Sequence, residues 1–305
     1  MGMILALDFG GTKLTAGMVA DAVYHTHDLT WQAHQRVYSP ADGNAQVDLA
    51  TMAALAQKVL AGQRATAVGV SFGGPADYHT GLVRLSHHVA GWEEIPLQQR
   101  LEKIFAAPVR IDNDANVAAL GEWRFGAGQG LADLLYITVS TGVGGGWILG
   151  GRPYRGHNGM AGEIGHTAVD PDGPLCLCGK QGCVERLASG PYMAADLAEA
   201  LAMPGNEIAG HDVAEMAAWG DEVALAILRR GAWALGVGIG NAANLMNPQR
   251  IILGGGVTKA GEVWWKTVRQ TAHQTALPQV QFDIVPAALG DDAPLWGAVA
   301  LVEKE

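Results

Sequence analysis

The chain has only three cysteines, Cys176, Cys178 and Cys183, and all fall within the eight residues CLCGKQGC. An odd number of thiols leaves one over from any disulfide, whereas sulfur and imidazole donors at short intervals suit a tetrahedral Zn2+. His166, ten residues before Cys176, supplies a fourth donor, so a structural Cys3His zinc site is expected at His166, Cys176, Cys178 and Cys183. Three buried thiols without a metal are the plainer alternative.

Two glycine-rich runs carry a second kind of chemistry. In DFGGTK, Asp8 ends an apolar strand and Gly10, Gly11, Thr12 and Lys13 follow at once. A tip without side chains lets backbone N–H groups surround phosphate oxygens, Thr12 adds a hydroxyl, Lys13 adds charge, and Asp8 is placed to hold Mg2+ through water. The run STGVGGG repeats the pattern with Thr141, Gly142, Gly144 and Gly145, and a third glycine run covers Gly254, Gly255 and Gly256. An ordinary type I′ or II′ hairpin turn shows the same glycines. Neither GxxxxGK[ST] nor a strict GxGxxG is present, which removes the Walker and dinucleotide fingerprints.

A third candidate is Asp114, directly after a short strand expected at 109–112. Phosphorylating a neutral hydroxyl requires a group that takes its proton while the γ-phosphate is held in line, and a carboxylate at a strand end can do that. An Asn113–Asp114 pair ahead of a helix caps it equally well. Glu163 and His166, three apart in EIGH, and Glu185, two after the last cysteine, are further polar groups in the loop.

The glycine loops resemble those of the actin, Hsp70 and sugar kinase superfamily. VSTGVGGG, AGEIGH at 161–166 and CLCGKQGCVE at 176–185 are similar to the ROK family (repressor, open reading frame, kinase), and DFGGTK and NDANVAALGE at 113–122 agree. The resemblance runs from Asp8 to the final helix. It implies a two-lobed ribonuclease H-like ATPase fold of the α/β class, with ATP and Mg2+ as cofactors. Phosphate contacts are implied for Asp8, Gly11, Thr12 and Thr141, with Gly10, Lys13, Gly142 and Gly254 in the same loops, and an adenosine contact for Gly255. Asp114 falls on the family's catalytic base and Asn113 on a sugar ligand. Glu163, His166 and Glu185 fall on residues that contact sugar hydroxyls near the anomeric carbon, and Gly73 on the sugar-side turn SFGGP, where a plain turn is equally expected.

NDANVAALGEW, and Gly91–Trp92 followed by IPL, resemble the glucose-phosphorylating members, so glucose is the first expected acceptor. HTAVDPDGPLC is similar to kinases of N-acetylmannosamine, which makes that sugar, another N-acetylhexosamine or fructose the alternative. Two departures stand out: Trp147 replaces a smaller apolar residue, and His88 in SHHVAGW replaces an asparagine. Relatives imply a homodimer or homotetramer. Family repressors place a helix-turn-helix ahead of the core, so with seven residues before Asp8 a kinase is expected over a sugar-sensing regulator lacking its DNA-binding domain.

These residues need strands to end where they stand. Apolar runs predict strands at 4–9 and 14–19, 65–71, 109–112, 134–140 and 146–149, 250–253 and 282–285, with helical spacing at Met52, Leu55 and Val59 and again at Leu97, Leu101 and Ile104. Alternation of this kind implies an α/β architecture, and the recurring glycine hairpin implies two related lobes. The expected division is 1–116 with a C-terminal helix in 291–305, and 117–290 with the zinc loop.

Twenty Lys and Arg against 30 Asp and Glu give a charge of −10, which repels nucleic acid, and no basic patch offsets it. The uncharged stretches 134–151 and 231–249 are broken by glycine, asparagine and proline, so no membrane span is expected. No basic leader precedes the first strand, and a cytoplasmic protein is expected.

Overall fold

The computed structural model describes residues 2–26, 28–39, 43–86, 89–204 and 207–303. His88 lies outside them. The chain divides into two compact units: 1–130 with 153–161 and 291–305, and 131–152 with 162–290.

The first unit contains β1 (Met3–Phe9), β2 (Lys13–Ala20), α1 (Val23–Thr26), β3 (Ala33–Tyr38), α2 (Ala45–Leu60) and β4 (Ala67–Phe72). The short β5 (Ala76–Asp77) and β6 (Leu82–Val83), α3 (Leu97–Phe105), β7 (Val109–Asn113) and α4 (Asp114–Phe125) complete its N-terminal part. The second begins with β8 (Leu134–Val139), β9 (Val143–Leu149) and β10 (Arg152–Tyr154). It continues through α5 (Val184–Ala188), α6 (Gly190–Ala200), α7 (Gly210–Ala218), α8 (Glu222–Met246), β11 (Arg250–Gly254), α9 (Glu262–Thr275) and β12 (Asp283–Pro286). The last helix, α10 (Ala293–Leu301), returns to the first unit.

Each unit is built on a five-stranded sheet of matching order, β3-β2-β1-β4-β7 and β10-β9-β8-β11-β12. In both, an antiparallel glycine hairpin is followed outward by parallel strands. The repeated hairpin in the sequence thus takes the same two interior places in both sheets.

On one face of the first sheet, Leu5, Leu7, Val68, Val70 and Ile111 pack with Met52, Leu55 and Val59 of α2 and Leu97 and Leu101 of α3. The other face takes α10. Gly69 has no side chain where the Ala298 carbonyl passes, and Gly297 of α10 lies against the Val117 carbonyl of α4. Backbones at that separation hold α4 to α10 at Val117 and Gly121, and so α4 runs through the expected division at 116 and the first unit extends to Gly130. Tyr24 Oη donates to the Val299 carbonyl at 2.6 Å, and Arg124 makes a two-pronged bond to Glu303.

In the second unit Leu135, Ile137, Val139, Ile251 and Leu253 pack with α8 and α9. Among the described residues only α8 is long and apolar enough to cross a membrane, and 61% of its most apolar window is buried inside the protein. Its Gly236 and Gly240 stack against the Val268 and Ala272 carbonyls of α9, which identifies the run as a core helix. Trp147 is 8% exposed in the same core, so the large residue is absorbed by packing.

Candidate active site and metal centre

Strand register builds the polar row of the first unit. Arg36, Thr15, Asp8, Ser71 and Asp112 lie directly opposite one another across five strands and share one face. Ser71 Oγ donates to Asp8 Oδ1 at 2.7 Å, and Arg36 Nε donates to Thr15 Oγ1 at 3.0 Å. Burial raises the Asp8 pKa to about 6, against the opposing pull of the Ser71 hydroxyl and the Arg36 charge. A carboxylate held at that tension gains from a cation beside it.

The tip of the β1–β2 hairpin closes with Gly10 N–H donating to the Lys13 carbonyl at 3.0 Å. Neither Gly10 nor Gly11 has positive φ, so this is not the primed hairpin turn that the sequence left open. Gly73 N–H donates to the Phe9 carbonyl at 2.8 Å, and a Cβ there would stand 3.5 Å from Gly11 N. SFGGP therefore abuts the first glycine loop. Lys13 lies exposed, its ammonium 5.7 Å from the Tyr38 ring centre.

At the end of β7, Asn113 performs the capping: its Oδ1 accepts from Ala115 and Asn116 N–H at 3.0 and 3.4 Å. Its Nδ2 donates to the Gly74 carbonyl and to Asp114 Oδ1, at 3.2 and 3.0 Å. Asp114 Oδ1 also accepts from Ala115 N–H at 2.8 Å. The carboxylate is thus fixed in the first turn of a 12-residue helix, beside the positive end of its dipole.

The second unit brings Thr141, Gly142, Glu163, His166 and Glu185 around β9. At the hairpin tip Ser140 N–H donates to the Gly142 carbonyl at 2.9 Å. Val143 N–H donates to Glu185 Oε2 at 2.9 Å, and a Cβ on Gly142 would reach that oxygen at 2.7 Å. Glu185 therefore braces the loop, a contact the sequence did not suggest.

Gly144, Gly145 and Gly146 correct the phosphate-loop expectation for STGVGGG, because they lie within β9. Their bare surface receives the AGEIGH turn: Gly162, at φ 94°, meets the Gly145 carbonyl, and Gly165 meets the Val143 carbonyl. Only Thr141 and Gly142 remain at the tip.

A cavity of about 450 Å3 opens beside Thr141 and Ser140, bounded by Gly190, His211, Gly256 and Lys259. Its size suits a nucleoside. The sequence pointed to Thr141 and the 254–256 run, where Gly255 at φ 89° packs on Val139 backbone, but not to Lys259, three residues beyond that run, nor to Gly190 and His211, which come from α6 and α7. Pro191 after Ser189 is the one local signal there, a helix start.

His166, Cys176, Cys178 and Cys183 converge, with all four donor atoms within 4.8 Å of one another. Cys178 Sγ lies 3.6 Å from Cys183 Sγ, and Cys176 Sγ 4.0 Å from His166 Nδ1. Those are non-bonded separations close to the edges, about 3.5 to 3.8 Å, of a tetrahedron with zinc–ligand bonds of about 2.0 to 2.3 Å. Cys176 N–H donating to the Lys180 carbonyl at 2.8 Å folds the knuckle. Burial pushes the Cys183 thiol up to about 12, while the Lys180 N–H holds Cys178 below its usual value. A divalent cation would displace such protons, and the donor set fits Zn2+. Nδ1 faces the sulfurs, which leaves Nε2 directed away from them.

A model of the ROK family matches residues 4–305. The glucokinase of Halalkalibacterium halodurans is 36% identical over 99% of this chain and 95% of its own length. The N-acetylmannosamine kinase of Shigella flexneri is 34% identical over 99% of each. A solved ROK family glucokinase from Streptomyces griseus, in complex with glucose and AMPPNP, superposes with a TM-score of 0.83 at 34% identity, covering 98% of this chain and 99% of the other.

Proposed function

The chain belongs to the ROK family, and from that premise we propose that it transfers the γ-phosphoryl group of ATP to a hexose hydroxyl, with glucose as the first acceptor. Full-length identity to sugar kinases supports the reaction class, and the two-unit α/β fold is that of the actin, hexokinase and Hsp70 superfamily. The observation that carries the mechanism is the Asn113–Asp114 corner, where a helix start and two donors orient one carboxylate.

In this mechanism Asp114 takes the proton from the acceptor hydroxyl as the oxygen attacks phosphorus. Asn113 and the Gly73–Gly74 turn hold the sugar beside it. Asp8 would hold Mg2+ through water, and that ion would neutralise charge developing on the phosphates. Gly10, Gly11, Thr12 and Lys13 of the first unit contact phosphate oxygens, and so do Thr141 and Gly142 of the second. Gly254 and Gly255 contact the adenosine where their run leads into Gly256, which lines the 450 Å3 cavity.

Glu163, His166 Nε2 and Glu185 bind sugar hydroxyls, and His166 Nδ1 with the three thiolates would hold structural Zn2+. With a cation held there, His166 and, through Cys183 at the cap of α5, Glu185 would be fixed in place. The enzyme so described acts in the cytoplasm as a homo-oligomer.

ADP release measured with glucose, mannose, fructose, N-acetylglucosamine and N-acetylmannosamine tests the acceptor. Glucose is expected to give the highest kcat/KM; the strength of the Shigella flexneri match makes N-acetylmannosamine the second choice. Asp114→Asn is expected to lower kcat by about 10²-fold to 10⁴-fold, with sugar affinity kept within about tenfold. No ADP release with any sugar overturns the kinase, and near-normal turnover of Asp114→Asn removes the base.

A further inference from the structure

Segment 153–161 starts with the last two residues of β10, a strand of the second sheet, but as a whole groups with the first unit. Its anchor is Arg155. The guanidinium Nε donates to Asp112 Oδ2 at 2.6 Å, with side chains 17% and 3% exposed, and its plane lies 3.7 Å from the Tyr78 ring centre. The other Asp112 oxygen accepts from Asn113 N–H at 2.8 Å and Asn116 Nδ2 at 3.2 Å. One buried carboxylate thus ties the docked segment to the corner that carries Asp114. We infer that Asp112 and Arg155 are a positioning pair for the phosphoryl acceptor site: they set the Asn113–Asp114 corner and cancel a buried negative charge two residues from the base.

This inference rests on the proposed role of Asp114. An uncancelled charge at Asp112 would oppose ionisation of a neighbouring carboxylate, while an uncancelled guanidinium would favour it. The other ionisable groups around the pair are Asp77, His79 and His157, which line a cavity of about 60 Å3 with it, and Asp8, two strands away. Asp77 is already matched by Arg84 at 3.1 Å and by the His79 and Thr80 N–H groups. Arg155 is the cation that directly meets Asp112.

The pair predicts opposite shifts from its two halves. With glucose or the best acceptor of the panel, kcat and KM are measured from about pH 5 to about pH 9 for Arg155→Met, Arg155→Lys, Asp112→Asn and the double variant Asp112→Asn/Arg155→Met. Arg155→Met is expected to move the acid limb of kcat/KM up by about half a unit or more and to lower kcat about tenfold, with the KM for ATP within about threefold. Asp112→Asn moves the limb down, the double variant returns it close to the parent position, and Arg155→Lys stays near the parent.

Melting temperatures show which variants fold. If Arg155→Met does not, Asp112→Asn and Arg155→Lys still decide, through the downward limb of the first and the retained profile of the second. Single variants whose limbs move together, or do not move while Asp114→Asn is inactive, leave the pair structural and overturn the inference. Turnover by Asp114→Asn would instead remove the base itself.

Discussion

At position 8 burial and chemistry pull a carboxylate in opposite directions. Its folded pKa, about 6, stands above the ordinary 3.8 because burial disfavours the charge. A raised carboxyl stabilises the fold fully below about pH 3.8 and loses that contribution as pH rises through about 6. At pH 8, without nucleotide or divalent cation, the ionised group is therefore a local cost, on the order of 3 kcal/mol. Asp8→Asn keeps an acceptor for Ser71 and removes the charge, so it is expected to raise the melting temperature at pH 8 by several degrees and to leave it little changed at pH 4, while turnover collapses. An unchanged or lower melting temperature at pH 8 means that Asp8 is not held at a cost. The sequence marks Asp8 by its place between an apolar strand and glycines. It gives no sign of Ser71 or Arg36 beside it, because register, not local pattern, sets that row.

Close backbone approach decides which elements touch. The AGEIGH turn sits on β9 through facing glycines, and α4 crosses α10 where Gly297 meets the Val117 carbonyl. Gly297→Ala forces a methyl into that carbonyl and is expected to cost about 1 to 3 kcal/mol or more, seen as a lower urea midpoint with unchanged slope. An unchanged midpoint would show that the helices can separate freely. Strands, hairpins and the convergence of His166 with the three cysteines were legible because period, turn residues and donor spacing are local. The use of Gly144, Gly145 and Gly146 was not, since a glycine that admits a phosphate and one that admits another backbone look alike in sequence. The same limit hid the Glu185 brace on Val143, which depends on how α5 is aimed after Cys183.

Across the whole molecule, the two sheets repeat one order but not one means of stabilisation. Both units bury apolar cores, and only the second contains the Cys3His cluster. Metal analysis of the purified protein is expected to give one zinc per chain, and a strong chelator to lower the unfolding temperature of the second unit with little change in the first. A calorimetric trace insensitive to chelation would deny the metal a structural role. The division of the chain was half legible: the paired hairpins announced two units, but segment 153–161 joins the first through contacts no window of sequence contains.

The placement of α10 bears on how the protein is made. The hollow above Gly69 is filled by Ala298, close to the end of the chain. While a ribosome is still translating the second unit, that side of the first sheet lacks α10, and the apolar surface this helix covers stays exposed in the nascent protein. The earliest sheet to emerge is thus completed last, and a stop codon or proteolytic cut a few residues upstream of Ala293 would leave it permanently uncovered.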